Sequence, residues 1–113
     1  MVVSASDANE QARIARALGE MGFALPGSLT ERHFSCTHSG CHCHADPPAL
    51  HGPYFQWSRK VAGKTVSRTL GADQVAEYQE WFDNHRRLKA LVREIEALSV
   101  SVLEADPRTP RRR

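Results

Sequence analysis

A chain of 113 residues, 41% hydrophobic and 25% charged, has room for one small domain with a modest core. It does not have room for an enzyme-sized cleft backed by layered supporting shells. The formal charge of +2 rests on Arg108, Arg111, Arg112 and Arg113; without those four, residues 1–107 carry −2, so global charge does not mark a nucleic-acid binder.

No apolar run is long enough to span a membrane, and no membrane partner is expected. The segment Met1-Val2-Val3-Ser4-Ala5-Ser6-Asp7 lacks the basic and apolar regions of a secretory signal. The expected compartment is therefore cytoplasmic, where cysteines stay reduced and favour metals over disulfides. The odd count of three cysteines points the same way.

In chain order, residues 1–6 read as a disordered leader, 7–105 as a single domain and 106–113 as a basic disordered tail. Asp7, with Glu10 three residues on, predicts a capping box and a helix over about 7–21. Ile14, Ala15, Leu18 and Met21 form its apolar stripe, and Gly22 stops it. Leu29 to Cys36 alternates as a short strand. Tyr54 to Val61 and Lys64 to Leu70 read as a β-hairpin around Ala62-Gly63, with Val61 opposite Lys64. That register places Phe55, Trp57, Arg59, Val61, Val66, Arg68 and Leu70 on one face. Asp73 predicts the cap of a helix reaching about Glu104, free of proline and glycine. Trp81, Leu88, Leu91, Ile95, Leu98 and Val102 give it a heptad-like seam, with Asn84 in the polar slot. A break near Asp83-Asn84, giving a helical hairpin, is the alternative. The fold class is α+β: an N-terminal helix, a small antiparallel sheet of strand plus hairpin with a Cys/His knuckle, then the long helix.

Between the first strand and the hairpin lies the chemistry. Cys36, Cys41 and Cys43 supply three thiolates within eight residues, and His38, His42, His44 and His51 are candidates for a fourth ligand. Tetrahedral zinc takes thiolate and imidazole ligands of this kind. The spacing departs from the usual two pairs, and an irregular loop is needed to bring Cys41 and Cys43 onto one ion. The competing reading is a thiol-lined turn with solvated histidines. A catalytic zinc needs an open position and a carboxylate base. Asp46 is the one acid in the loop, so a structural ion is preferred and neither an enzyme nor a small-molecule substrate is expected. A Cys-His nucleophile is a weaker reading, since such pairs form across a fold.

The hairpin carries Arg59, Lys60, Lys64 and Arg68 with no acid, beside Ser58, Thr65 and Ser67. A two-stranded ribbon of that composition suits the major groove of duplex DNA. The same cations also suit a solvated edge strand, and Trp57 opposite Arg68 suits a cation–π pair.

Leu25-Pro26-Gly27-Ser28-Leu29, the cysteine triplet, His51-Gly52-Pro53-Tyr54, Trp57-Ser58-Arg59-Lys60-Val61 and Gly63-Lys64-Thr65-Val66-Ser67-Arg68 resemble an uncharacterised small bacterial domain family. It is a domain of unknown function often encoded near transposases and integrases. The resemblance covers about Pro26 to Leu98. It implies a mobile-element context and a cysteine triplet that is a family feature, with no activity to carry over; histidines on both sides of Cys43 are not part of the expected pattern. Two functions follow. One is a nucleic-acid-binding or mobile-element accessory module stapled by zinc. The other is an adaptor whose helix pairs with a second copy or with a recombinase or transposase, without binding DNA.

Overall fold

The structure, a computed structural model, describes residues 3–110. Its elements are α1 (Ala5–Gly19), β1 (Ser28–Phe34), a single 3-10 turn (His42–His44), β2 (His51–Val61), β3 (Lys64–Leu70) and α2 (Ala72–Ala105). This is the expected α+β arrangement, and α2 runs 34 residues without the alternative break. No helix among the described residues is long and apolar enough to cross a membrane. The chain divides into two compact units: Leu25–Phe82, and the residues up to Ala24 together with those from Asp83 on.

In the Leu25–Phe82 unit the three strands lie in the order β1-β2-β3, all antiparallel. The Ala62-Gly63 turn, with φ of 51° and 81°, sets Val61 opposite Lys64 as its sequence requires. From there the register places Phe55, Trp57 and Arg59 opposite Leu70, Arg68 and Val66. On the other side Leu29 meets Trp57 and Arg32 meets Tyr54. An irregularity between Arg32 and Phe34 then shifts the pairing, so that Phe34 meets His51 and β1 ends before Cys36. Leu29, Phe55, Trp57, Val66 and Leu70 are half-buried. The buried side chains of the unit are Cys43, Val75 and Phe82.

The entry to β1 is clamped on Trp57. Its indole N–H donates to the Pro26 carbonyl at 2.8 Å. Gly27 follows at φ 111°, and a Cβ there would lie 2.5 Å from both the Ser58 carbonyl and the indole nitrogen. The Leu25 N–H donates to the Trp81 carbonyl at 2.9 Å. Gly71, rather than Asp73, occupies the cap position of α2, and its carbonyl accepts from the Val75 N–H. Asp73 lies in the first turn, where a carboxylate is still favoured by the helix dipole.

The other unit is an antiparallel helix pair. Asn84 donates to the Phe23 carbonyl at 2.9 Å, Arg13 pairs with Glu94 at 2.8 Å, and Val3, Asp7 and Gln11 lie beside Ile95, Leu98 and Val102. Early residues of the chain thus meet late ones along the pair. Ser4, not Asp7, caps α1: its hydroxyl accepts from the Asp7 N–H at 3.0 Å, so the helix begins earlier than expected. Ile14 is 1% exposed and Leu91 4%, while Leu88, Ile95, Leu98 and Val102 are half-buried. Asn84, the polar position of the seam, is satisfied by a backbone carbonyl. After α2, Asp106 pairs with Arg108, and the Thr109 hydroxyl donates to the Leu103 carbonyl at 2.6 Å, so this part of the tail folds back. Arg111, Arg112 and Arg113 lie outside the described residues.

Gly27→Ala is expected to cost about 2 kcal/mol or more, because the new methyl meets backbone at a positive φ. Ile14→Ala is expected to cost about 3 kcal/mol through the cavity it leaves. Denaturant midpoints of the two variants against the parent measure both; an unchanged Gly27→Ala midpoint would mean that the entry to β1 is not clamped.

Candidate metal site

The site forms where β1 ends and β2 begins. Because Phe34 pairs with His51, the chain just beyond Phe34 runs beside the start of β2. The connecting segment folds back through two tight turns. The Cys41 N–H donates to the His38 carbonyl at 3.1 Å, and the His44 N–H to the Cys41 carbonyl at 3.0 Å. Cys41 is extended (φ −76°, ψ 147°) and Cys43 lies in the 3-10 turn that follows. This change of backbone state within two residues is what lets Cys-x-Cys aim both sulfurs at one point.

Cys36, Cys41, Cys43 and His51 converge: one donor atom from each lies within 4.8 Å of all the others. The Cys36 and Cys43 sulfurs are 3.6 Å apart, and the Cys41 sulfur is 3.1 Å from His51 Nε2. A tetrahedron with Zn–S of about 2.3 Å has edges of roughly 3.8 Å, so these separations match one tetrahedral ion. They are far from the roughly 2.05 Å of a disulfide, and all three cysteines are free. These four side chains lie close enough to bind a metal ion.

Backbone donors surround the sulfurs. The Cys36 N–H donates to the Cys43 sulfur at 3.3 Å. The Cys43 N–H donates to the Cys41 sulfur and holds that thiol below its ordinary pKa, with the His42 N–H helping and partial desolvation opposing. Burial pushes the Cys43 thiol up; it is only 1% exposed. Such N–H contacts fix thiolates that an ion would otherwise have to organise.

The other three histidines are placed differently. His44 Nε2 lies 2.6 Å from the Cys36 carbonyl, which can only accept, so the ring donates and straps the 3-10 turn to the end of β1. His42 packs edge-on against the His51 ring, with centroids 5.0 Å apart, and its Nδ1 is 3.7 Å from the Cys41 sulfur. His38 contributes its carbonyl to the first turn and is not in the converging group. Gly52, at φ 126°, follows His51; a Cβ there would sit 2.8 Å from the Arg32 carbonyl. The approach of β1 to β2 beside the imidazole therefore requires glycine.

The candidate nucleic-acid residues are split between the two faces of the sheet. Register puts Arg59, Lys64 and Arg68 on the face of Trp57, and Lys60 and Thr65 on the other. The cation on the indole is Arg59, 4.8 Å from the ring centroid, not Arg68. Strand alternation carries that signal, since residues two apart share a face. The Ser58 and Ser67 hydroxyls are bonded to each other at 2.8 Å. Lys60, Lys64, Thr65 and Arg68 are exposed.

In reduced, metal-free protein Cys41 is expected to react first with an alkylating reagent and Cys43 last. Its lowered pKa leaves Cys41 more thiolate near neutrality than an ordinary cysteine, and this advantage disappears as pH falls through that pKa. Peptide mass spectrometry over a pH series measures the order; Cys43 reacting as fast as Cys41 would contradict the geometry.

No curated protein and no solved structure matches the chain. A family profile described as a domain of unknown function (DUF6788) matches residues 7–80, beginning earlier and ending earlier than the resemblance read from the motifs. The match takes in most of α1, the whole sheet, all four converging side chains and the start of α2, and the chain belongs to this family.

Proposed function

We propose that the chain is a small nucleic-acid-binding module, not an enzyme, whose sheet is held by a structural zinc ion on Cys36, Cys41, Cys43 and His51. The convergence of those four donors within 4.8 Å carries the reading. Three thiolates and an imidazole are soft ligands that favour zinc over magnesium or calcium. Four protein donors complete a tetrahedron and leave no position for substrate or water, which favours a structural role over a catalytic one. The thinness of the core supports a staple. Among the described residues of the Leu25–Phe82 unit only Cys43, Val75 and Phe82 are buried apolar side chains, and small units of that kind lean on a metal or a disulfide. Free cysteines suit a cytoplasmic, reducing setting.

The nucleic-acid part of the reading rests on the acid-free hairpin. Lys60, Lys64 and Arg68 are its exposed cations, available for phosphate. Arg59 is occupied over Trp57, so its share is to hold the sheet. An accessory role beside a recombinase or transposase belongs to the same proposal and draws on the family resemblance. The adaptor alternative would have to use the exposed Val92, Val100 and Leu103, because Leu91 is buried within the helix pair.

Cobalt titration is expected to give one equivalent per chain with the intense visible bands of a tetrahedral thiolate site. Cys41→Ser and His51→Ala should abolish or blue-shift those bands, and His38→Ala should leave them. Chelation should lower the thermal midpoint of the parent, since the binding free energy of a structural zinc is folding free energy. A folded protein that takes up no metal would remove the staple.

Anisotropy with labelled duplex and single-stranded oligonucleotides is expected to show affinity falling steeply with salt. The double change Lys60→Ala, Lys64→Ala should weaken it and reduce the log–log salt slope by about one per lost phosphate contact. Arg59→Ala should instead lower stability by about 0.5–1 kcal/mol. Salt-independent or absent binding to every oligonucleotide would end the nucleic-acid reading.

A further inference from the structure

The face of the sheet opposite Trp57 is open. Tyr54 and Lys60 of β2 stand on it beside Arg32 of β1 and Thr69 of β3, all exposed. No strand residue on this face is acidic; the single sheet carboxylate, Glu31, pairs with Phe55 and belongs to the other face. At the end nearest the candidate metal site two large aromatic rings lie in the open. Phe34 is 49% exposed and Tyr54 44%. Their centroids are 5.3 Å apart and their planes tilted by 32°. Arg32, Phe34, Tyr54, Gln56 and Thr69 border an open depression of about 460 Å³.

Exposed aromatic rings on a cationic, acid-free sheet face have a specific chemical match. A ring offers its π-face to a planar group, and a guanidinium beside it takes a phosphate or stacks in turn. Bases inside a duplex are already stacked and cannot use such a surface, whereas unpaired bases can. Phe55 also lines the depression, and its remaining polar groups are an amide, Gln56, and a hydroxyl, Thr69. Both can donate and accept, as the ribose 2′-hydroxyl does. An anionic chain is complementary to Arg32 and Lys60.

We infer that this open face is a stacking platform for single-stranded RNA, with Tyr54 and Phe34 under unpaired bases and Arg32 at the adjoining phosphate. The inference rests on the nucleic-acid reading above and names its ligand and surface. It concerns the face opposite Lys64 and Arg68, and so is separable from phosphate contacts made by those two cations.

The test uses the full zinc-loaded chain and a labelled single-stranded RNA of about 12 nucleotides, within the range such platforms cover. The comparators are an RNA of the same length with abasic sites, duplex RNA, duplex DNA and single-stranded DNA. The single-stranded RNA should bind about tenfold more tightly than the abasic strand, and a 2-aminopurine in it should be quenched on binding. Tyr54→Ala should lower affinity about tenfold and abolish the quenching, with Tyr54→Phe restoring both. Tyr54→Leu keeps apolar bulk without a ring and should behave as Tyr54→Ala; zinc content and circular dichroism verify the fold of each variant. The abasic comparison needs no variant. Duplex binding with no preference for unpaired bases would overturn the platform and leave the nucleic-acid reading standing. Equal binding of single-stranded DNA would overturn the choice of RNA. No binding to any strand would overturn both.

Discussion

The pairing of Phe34 with His51 is the constraint on which the rest of the Leu25–Phe82 unit depends. Antiparallel register is fixed at the far end, by the Ala62-Gly63 turn, and is transmitted across β2 to β1 by alternating hydrogen bonds. Between the Arg32–Tyr54 and Phe34–His51 pairs β1 advances two residues and β2 three, so one extra residue in β2 re-aims the start of that strand against β1. Without that extra residue Phe34 would lie opposite Gly52, and His51 would take a different register against the end of β1. Gly52 is part of the same constraint, because only a residue without a Cβ lets the Arg32 carbonyl approach so closely. The site is therefore a consequence of strand geometry before it is a property of its ligands.

That origin explains which parts of the molecule were readable in advance. The hairpin register follows from two turn residues, and the three cysteines mark themselves by clustering. The fourth donor is another matter. His38, His42, His44 and His51 have equal chemistry, and sequence proximity favours the three inside the loop over His51. What singles out His51 is the pairing of its strand, a long-range fact with no local signature. The same holds for His44, whose role is to donate to the Cys36 carbonyl. The helix caps were missed for a local reason. Ser4 and Asp7 both suit an N-cap, and Gly71 lies next to the helix that Asp73 was expected to start; competing caps one turn apart are decided by small differences. The continuity of α2 follows from an unbroken run of good helix formers, with Asn84 paired to the Phe23 carbonyl at the one position that suggested a break.

The two faces of the sheet are used in opposite ways. On one, the indole of Trp57 is held from its edge by the Pro26 carbonyl and covered by the Arg59 guanidinium. A cation that composition alone counts toward nucleic-acid binding is thereby engaged in holding the sheet, and net charge overstates what remains free. On the other face hydroxyls and two aromatic rings are left toward solvent, with the half-buried amide of Gln56 beside them. Large exposed rings forgo burial that a thin core could use, and it is this unused apolar area that the proposed platform would employ.

The candidate metal site and that open face are physically continuous. His42 lies edge-on to His51 at 5.0 Å, His51 lies 5.5 Å from Phe34, and Phe34 lies 5.3 Å from Tyr54. The row passes from a loop, through a candidate metal donor, to the exposed pair. An ion held at the candidate site through His51 Nε2 would also fix the surface against which Phe34 rests, and so would limit the tilt of Phe34 toward Tyr54. Flat recognition of a planar ligand depends on rings that are already in place, because each rotor frozen on binding weakens the complex. In this arrangement a structural ion of the kind proposed would condition the proposed binding face without touching its ligand.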